Sequence, residues 1–364
     1  MSRSVVRVLA LTVHPERAPA TRFRVLAYRS LLEAQGIEVT LASSLDDAAF
    51  ELLYAPQSLS RKGRAALRAL IRQWRAALFD GPWDTVWVQR EAALVGPPLL
   101  ELLLASRRPL VYDFDDAVWL STADASRHPL AARLLRAPDK TRTLMREARH
   151  VMAGSAYLAE AARRVNPNVS VIPTVVSRET WVPSPRAERE VPVVGWIGTH
   201  GTARYLHMVA PALERLRAEG RRFHLRIVGA APDFVLPVEH ERVVWSLDRE
   251  IEAFQDLDIG LAPVADDEWG RGKCAFKQLQ YFATGVACVS SPVGPAADFC
   301  ARGAALAARD ADDWYRSLAA LLDDAALRAR LRETARHLME TELCIEALTP
   351  RVAAILREPA RPQR

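Results

Sequence analysis

Short apolar segments alternate with amphipathic segments of helical period along nearly the whole chain, and this alternation is what most constrains the fold. Near-continuous apolar strands between helices are typical of parallel sheets that helices cover on both faces. One such helix is predicted over 22–35, where apolar residues share one face and Gly36 follows. The strands predicted in the first half are Val5–Leu11, Ile37–Leu41, Thr85–Gln89, Leu110–Tyr112, His150–Ala153 and Val169–Ile172.

The alternation is interrupted once, over Pro173–Pro192, where prolines and charges replace the apolar pattern. It resumes with two predicted helices, 203–219 and 249–255, among new strands. Those strands are Val193–Ile197, His224–Val228, Arg242–Trp245 and Ile259–Ala262. We therefore predict an α/β protein with two Rossmann-like, doubly wound domains that face a central cleft. The expected boundaries are 1–175 for the N-terminal domain, 176–192 for the linker and 193–342 for the C-terminal domain, with a last helix at about 343–357 that packs back on the first domain.

Composition indicates an ordinary globular protein of the cytoplasm. The 364 residues carry a net charge of +5, which does not by itself indicate a nucleic-acid partner, and none is expected. The four cysteines have no CxxC spacing, so reduced thiols are expected and no metal site is predicted. The chain shows neither a signal peptide nor an apolar run of about eighteen residues, so no membrane-spanning helix is expected.

One helical segment, 61–75, combines basic residues with apolar residues at helical spacing and contains no acid. Its basic residues are Arg61, Lys62, Arg64, Arg68, Arg72 and Arg75, and its apolar ones include Leu67, Leu70, Ile71 and Trp74. Two interpretations remain open. The helix lies on an anionic membrane surface, which would place the protein at the inner face of the cell membrane. Alternatively, its apolar side packs on the core and its basic side is solvated.

The segment 257–294 is the most informative for function. It reads as a buried strand, a polar loop, a helix that begins near Ala275, a Gly turn and a second buried strand. Arg271, Lys273 and Lys277 surround the first turn of that helix. A helix N-terminus attracts phosphate, and three added cations suit a diphosphate better than an uncharged ligand. The segment therefore predicts a nucleotide-sugar site, against the alternative that these are solvated loop charges.

Two further loops belong to this predicted donor site. Gly198, Thr199 and His200 follow a strand and lead into a helix, so that backbone amides are available to a phosphate. The alternative is an ordinary turn in which Thr202 caps the helix. Trp245 ends another strand, where it either contacts a ligand of this site or fills the core.

Taken together, these segments resemble the GT-B glycosyltransferases, and most closely the retaining family-4 type that includes many bacterial cell-envelope enzymes. The segments that carry the resemblance are VVGWIGTHGTARYL (193–206), LRIVGA (225–230), LDIGLAPV (257–264), KCAFKQLQYFATGVACVSSPVG (273–294), and in the first domain TRFRVLAYRSLLEAQGIEV (21–39) and YDFDDAVW (112–119).

This resemblance implies transfer of a sugar from a nucleotide-diphosphate sugar to an acceptor hydroxyl, with retention of configuration and no obligatory metal. The nucleotide sugar is then a co-substrate, and no cofactor is expected. The second domain would bind the donor, and the first would bind a glycan or lipid-linked acceptor. Polysaccharide or glycolipid synthesis for the cell envelope is the expected setting.

The chain departs from the family pattern at one point. Many members carry two glutamates eight positions apart, and Gly272 and Gln280 occupy those positions here. Gln280 is expected to hydrogen-bond the ribose through its amide. Lys273 and Lys277 are the predicted catalytic cations, because they stabilise the charge that develops on a departing diphosphate. The missing carboxylates leave a non-catalytic nucleotide-sugar binding protein as an alternative. A sugar-nucleotide epimerase shares the two-domain fold and is a further alternative, which the missing carboxylates make less favoured.

The acceptor site is predicted from the first domain. Arg22 and Arg24 begin the first helix and suit an acidic acceptor. Asp113, Asp115 and Asp116 follow a strand, and Asp115 is the predicted catalytic carboxylate that orients the acceptor or contacts the transferred sugar. The least favoured alternative is a phosphotransferase in which Asp113 attacks phosphorus and Asp115 acts as the acid and base. In another, Asp116 only caps a turn.

Overall fold

The computed structural model describes residues 5–54, 59–93, 96–120, 139–184 and 189–358. Internal contacts divide the chain into two compact units. The first comprises Met1–Thr174 and Leu348–Arg364, and the second comprises Val175–Ala347. Each unit is built around its own parallel sheet, and each is described below by itself.

The first unit contains a six-stranded sheet in the order β2-β1-β3-β4-β5-β6, with every adjacent pair parallel. Its strands are β1 (Val6–Thr12), β2 (Ile37–Ser43), β3 (Thr85–Gln89), β4 (Leu110–Phe114), β5 (His150–Ala153) and β6 (Val169–Val171). Its helices are α1 (Pro19–Arg24), α2 (Arg29–Glu33), α3 (Asp47–Tyr54), α4 (Leu59–Phe79), α5 (Leu99–Ala105), α6 (Lys140–Glu147) and α7 (Ala156–Arg163), with a 3-10 turn at Leu26–Tyr28.

Burial on both faces explains why the central strands of this sheet are apolar. Every residue of β3, β4 and β5 is buried, as expected of a parallel sheet covered on both sides. The strand order reverses between β1 and β3, and such a switch point is where open α/β sheets bind ligands, beyond the carboxyl ends of the strands. In the first unit, a ligand site is therefore expected at the loops that follow β1, β3 and β4.

A buried ion pair joins α1 to β4 within this unit. Arg24 and Asp113 are 2% and 0% exposed. The guanidinium donates from Nε to Asp113 Oδ2 at 3.1 Å and from Nη2 to Oδ1. Its Nη1 donates to the Ile172 carbonyl oxygen at 2.6 Å and to Thr174 Oγ1 at 3.3 Å. Both side chains were predicted to contact the acceptor, but neither is accessible here, because the fold uses them to hold its own elements together.

The second unit contains a six-stranded parallel sheet in the order β12-β11-β10-β7-β8-β9. Its strands are β7 (Val193–Ile197), β8 (His224–Val228), β9 (Glu241–Val243), β10 (Ile259–Ala262), β11 (Ala287–Ser290) and β12 (Leu306–Ala307). Its helices are α8 (His200–Ala203), α9 (Ala210–Ala218), α10 (Glu250–Gln255), α11 (Glu268–Arg271), α12 (Phe276–Ala283), α13 (Pro295–Ala301), α14 (Ala311–Asp323) and α15 (Ala325–Thr341), and α16 (Ile345–Arg357) follows; 3-10 turns lie at Arg204–Met208 and Leu247–Arg249.

The core of the second unit packs helices against the strands on either side of its switch point. Trp196 on β7 and Trp314 on α14 are fully buried in one cluster with Leu225 and Ile227 of β8. The strand order reverses between β7 and β10. The loops after these two strands therefore meet at the edge of the sheet where ligand sites form.

Two segments differ in detail from the sequence predictions. The helix predicted over 22–35 is split into α1, a 3-10 turn and α2, because the chain leaves helical geometry at Val25. Within the segment predicted as a linker, Trp181 is 5% exposed and its ring lies 5.5 Å from that of Phe254, so this part packs on the second unit. Residues 185–188 of the predicted linker lie outside the described residues. At the other end, Leu356 of α16 accepts a hydrogen bond from Thr85 Oγ1 in the first unit at 2.9 Å.

Replacement of Arg24 by Met should lower the free energy of unfolding by about 3–5 kcal/mol, because it leaves the Asp113 carboxylate buried without its partner. Urea unfolding followed by circular dichroism measures the loss. Arg29→Met is the matched control, since Arg29 pairs with Glu33 at the surface, and such pairs contribute at most about 1 kcal/mol. Equal losses in the two variants would contradict the structural role of Arg24.

Candidate functional site

The loop after β7 brings the backbone close to the ammonium group of Lys277. A Cβ atom at Gly198 would lie 2.4 Å from the Trp196 ring and 2.9 Å from Lys277 Nζ, so only glycine fits there. The chain then enters α8 at His200, which is exposed. Thr199 is the N-cap residue, and its N–H donates to Thr202 Oγ1 at 3.3 Å, so Thr202 takes part in a capping box. The Gly198 N–H donates to the Val228 carbonyl oxygen at 3.1 Å, so the prediction that these two amides are available to a phosphate is wrong. Gly198, Thr199 and His200 thus form an open edge beside Lys277.

Lys277 has no carboxylate partner among the described residues. Its Nζ lies 4.0 Å from the centroid of the Trp196 ring, a cation–π contact. Burial lowers the pKa of Lys277 well below the ordinary lysine value, the nearby Lys273 cation lowers it further, and Cys288 opposes both effects. The side chain keeps some accessible surface. A desolvated ammonium group without a counter-charge is suited to receive an anion.

Backbone strain accompanies this lysine. Ala275 precedes α12 with φ 52°, in the left-handed region that residues other than glycine rarely adopt. Such a conformation costs on the order of 1–3 kcal/mol, and strain of this kind concentrates at functional sites. The turn starts α12 so that Lys277 lies in its first turn, where the positive end of the helix dipole adds to the lysine charge.

The other two predicted donor cations have partners of their own. The Arg271 Nε donates to Asp266 Oδ1 at 2.7 Å in an exposed pair, and Asp266 therefore competes with any phosphate for this guanidinium. Lys273 Nζ lies 4.3 Å from the Trp269 ring centroid. The structure thus brings Lys273 near Lys277. Arg271 is instead paired with Asp266.

Helix α12 also buries two glutamine side chains. Gln280 is 6% exposed, so the residue at the position of a family glutamate is directed into the protein. Gln278, two residues earlier, is 1% exposed, and neither Oε1 nor Nε2 has a hydrogen-bond partner. A buried amide without partners costs free energy. Sequence reasoning missed Gln278, because its periodicity is that of an ordinary core position.

Trp245 lies beside the Gly198 loop and not in the core. It follows β9 and is partly exposed. A Cβ atom added at Gly229 would lie 2.3 Å from the Gly198 carbonyl oxygen and 3.4 Å from the Trp245 Cβ. Gly229 has φ 79°, so this close approach depends on glycine. Trp245 is only partly exposed, so its stacking on a nucleobase stays a prediction.

In the first unit, one arginine gathers two of the predicted acceptor carboxylates. Arg90 follows β3 with φ 61° and donates from Nε and Nη2 to Asp115 Oδ1 at 2.9 and 2.8 Å. Its Nη2 also donates to Asp116 Oδ2 at 2.5 Å. The second oxygen of Asp115 accepts a hydrogen bond from Thr174 Oγ1 at 3.4 Å. Sequence reasoning missed Arg90, although a charged residue directly after a buried strand next to the switch point is a usable signal.

His14 and Arg22, two further side chains of the first unit, make mostly local contacts. Burial and the Arg90 cation lower the pKa of His14 to about 4, so the ring is neutral at pH 7. Its buried Nδ1 has no hydrogen-bond partner. Arg22 is partly buried, donates from Nε to the Arg17 carbonyl oxygen at 3.1 Å and stacks over Phe23 at 4.5 Å. The predicted acceptor arginine Arg22 is thus near this edge, but the structure gives its guanidinium local partners.

Asp113 cannot serve as the nucleophile of a phosphotransferase in this structure. Its carboxylate is fully buried and paired with Arg24, so it is inaccessible to a phosphorus centre. Asp115 and Asp116 share Arg90 and are 14% and 21% exposed, so they remain reachable from solvent. Among the residues that the structure describes, no group of three or more His, Cys, Asp or Glu side chains is arranged to hold a metal ion.

Comparisons with a family model and with solved structures agree with the two-unit α/β fold. Residues 191–324 match the family model described as "Glycosyl transferases group 1". No curated protein sequence matches the chain. Among solved structures, a glycosyltransferase from Rickettsia africae ESF-5 is similar with a TM-score of 0.69 and 14% identity, over 98% of each chain.

Two further structures extend the comparison. HepE from Anabaena, solved in complex with UDP-glucose, has a TM-score of 0.66 and 16% identity over 96% of this chain and 99% of its own. WaaG, a glycosyltransferase involved in lipopolysaccharide biosynthesis, has a TM-score of 0.62 and 14% identity over 97% of this chain and 100% of its own. At such identities the likeness establishes the fold. The chain therefore has the GT-B glycosyltransferase fold, and its residues 191–324 are similar to the group 1 glycosyl transferases.

Proposed function

We propose that this protein transfers a hexose from a nucleotide-diphosphate sugar to an acceptor hydroxyl, with retention of configuration and without a metal ion. The proposed acceptor is a glycan or a lipid-linked sugar of the cell envelope, with the reaction on the cytoplasmic side of the membrane. The observation that carries the proposal is the unneutralised, desolvated Lys277 next to Gly198 at the start of α12. A bound diphosphate supplies the negative charge that this arrangement lacks.

The same arrangement suits catalysis as well as binding. When the sugar–phosphate bond breaks, the leaving diphosphate gains negative charge, and Lys277 and Lys273 stabilise that charge more than they stabilise the intact donor. The departing phosphate oxygen can accept the proton of the acceptor hydroxyl, so a separate general base is not required. In this proposal Trp245 stacks on the nucleobase. The ribose contact predicted for Gln280 is not part of the proposal, because the structure buries that side chain.

In the first unit, Asp115 is the residue proposed to orient the acceptor or the transferred sugar. Arg90 fixes the carboxylate from one side and Thr174 from the other, which limits its motion without burying it. Asp116, held by the same guanidinium, is available for a second hydroxyl. Pre-oriented carboxylates of this kind bind sugar hydroxyls at a lower entropic cost than mobile ones.

UDP is the nucleotide to test first, because the HepE structure contains UDP-glucose. Thermal-shift measurements with UDP, GDP, dTDP and ADP identify the base, since a ligand of the native state raises the melting temperature by mass action. If none of the four raises it, the donor-site proposal fails.

A non-catalytic nucleotide-sugar binding protein is the second candidate, favoured by Gly272 and the buried Gln280 at positions where many relatives carry glutamates. Incubation with a radiolabelled donor separates the candidates. Release of nucleotide by hydrolysis or by transfer supports the transferase, whereas binding without turnover supports the binding protein. An epimerase would convert the sugar without releasing nucleotide.

Replacement of Lys277 by Met should reduce turnover by about a hundredfold or more, the scale of one lost transition-state donor. The same variant should melt at a higher temperature at neutral pH, because it removes a charge that the fold desolvates. The measurements are initial rates and differential scanning calorimetry. Arg330→Met, at an exposed position of α15, is the control for loss of a cation. Turnover within a few fold of the parent would exclude Lys277 from the mechanism.

Donor affinity should fall as pH rises toward the ordinary lysine pKa of 10.5. Burial lowers the pKa of Lys277 in the free protein, and a bound diphosphate raises it again, so binding takes up a proton between these two pKa values. Within that window the affinity declines by up to about tenfold per pH unit. Phosphate is fully ionised above about pH 7, so its own titration does not contribute there.

Calorimetry in buffers of different ionisation enthalpy measures this proton uptake directly. The parent should show a buffer-dependent enthalpy of UDP binding. The Lys277→Met variant, to the extent that it still binds, should not show it. A parent enthalpy that is identical in all buffers across the alkaline range would contradict the coupling.

Replacement of Arg90 by Met should lower transfer by at least about tenfold while the affinity for the nucleotide stays unchanged, because Arg90 orients Asp115 and the proposed nucleotide contacts are in the second unit. Steady-state rates at varied acceptor concentration and calorimetric titration with UDP separate the two effects. Arg107→Met, on an exposed turn of the first unit, is the control. Loss of nucleotide affinity in the Arg90 variant would contradict this division of roles.

A further inference from the structure

Helix α4 attaches to the first unit through small and polar side chains. Ala69 and Ala77 are 1% and 2% exposed and face the sheet. Gln73, between them, is buried, and its Nε2 donates to the Thr12 and Ala42 carbonyl oxygens at 3.2 and 3.0 Å. The side of the helix that carries these small and polar residues thus packs against β1 and β2.

Its large apolar side chains lie on the opposite side, in solvent. Leu67, Ile71 and Phe79 are 57%, 58% and 79% exposed. Ile71 and Phe79 also line an open groove of about 480 Å³. Its other lining residues are Leu70, Trp74, Arg75 and Leu78. Leu67 and Ile71 therefore do not pack on the core, whereas Leu70 and Trp74 are partly buried. Exposed apolar side chains grouped in this way mark an interaction surface.

A row of arginines runs beside the exposed apolar residues. Arg64, Arg68 and Arg75 are exposed, and none pairs with a carboxylate in the described part of the chain. Helical spacing places these three next to Leu67 and Ile71 along the same outward side. Residues 61–79 contain no acid at all. The outward side of α4 therefore combines an apolar strip with an adjacent cationic strip.

We propose that α4 is the docking surface of this protein for a lipid bilayer that contains anionic headgroups. In this arrangement the helix lies in the plane of the interface, its apolar strip enters the region between headgroups and acyl chains, and the arginines contact lipid phosphates. No helix among the described residues is both long and apolar enough to cross a bilayer, so α4 would act at the surface.

Lipid fits this surface better than a nucleic acid does. A nucleic-acid partner would use the arginines, but it offers nothing to the solvent-exposed Leu67 and Ile71 side chains. A bilayer interface uses both strips at once, because it presents phosphate and hydrocarbon within one headgroup depth. The inference does not depend on the donor site, since it rests only on the first unit.

Sedimentation of the full-length protein with phosphatidylcholine vesicles, with and without phosphatidylglycerol, tests the proposal. Binding to the anionic vesicles should exceed binding to the neutral ones and should weaken as salt rises. The double variant Arg64→Gln/Arg68→Gln should bind about twenty-five-fold more weakly, at about fivefold per arginine. The double variant Leu67→Ser/Ile71→Ser should also bind more weakly, although its charge is unchanged.

Each variant has a matched control at another surface. Arg107→Gln/Arg108→Gln removes the same charge from an exposed turn, and Leu99→Ser/Val235→Ser removes two exposed apolar side chains. Both controls should bind like the parent, and circular dichroism establishes that every variant is folded. UDP binding should be the same in all of them, which separates this test from that of the donor site.

Three outcomes would overturn the proposal. The first is equal binding to neutral and anionic vesicles. The second is a loss in the controls as large as that in the α4 variants. The third is arginine-dependent binding to duplex DNA without binding to vesicles, which would identify the surface as a nucleic-acid site.

Discussion

The proposed chemistry depends on one unbalanced charge. Lys277 is held over the Trp196 ring in a desolvated position, and no carboxylate of the described residues neutralises it. The left-handed Ala275 and the glycine at 198 both serve this placement, one by starting α12 at the right residue and the other by leaving space for the ammonium group. A fold that retains an unfavourable charge beside a strained turn gives up stability for ligand binding.

The two units handle their buried charges in opposite ways. In the first unit, Arg24 and Asp113 satisfy each other and contribute to the architecture. In the second, Lys277 has no carboxylate partner among the described residues, and in the proposed function a bound diphosphate supplies the negative charge. Burial alone would assign the Arg24–Asp113 pair and Lys277 to the core. The sequence predictions assigned all three residues to a binding site. The presence or absence of a counter-charge is what separates a structural ion from a binding one.

Much of the fold follows from local sequence, and the site only partly does. Strands such as β7 and β10 were predictable because burial on both faces makes every residue apolar or glycine. In β3, which is also buried throughout, polar Thr85 and Gln89 flank three apolar residues. The break at Val25 was not, since a change from helix to 3-10 turn depends on packing. The Arg24–Asp113 pair joins residues 89 apart in sequence, and no spacing rule reports such a contact. Lys277 was predictable, because its position in the first turn of a helix is a local property.

The lowered pKa of Lys277 also changes how this protein reacts with electrophiles. The sequence contains only four lysines, at positions 62, 140, 273 and 277. An amine whose burial favours the neutral form keeps its lone pair available at pH values where ordinary lysines are protonated. An acylating or aldehyde reagent small enough to reach the Gly198 loop would find a nucleophile there, and the nucleotide of the proposed function would shield it. With so few lysines in the chain, a loss of labelling on nucleotide binding would be simple to assign to Lys277.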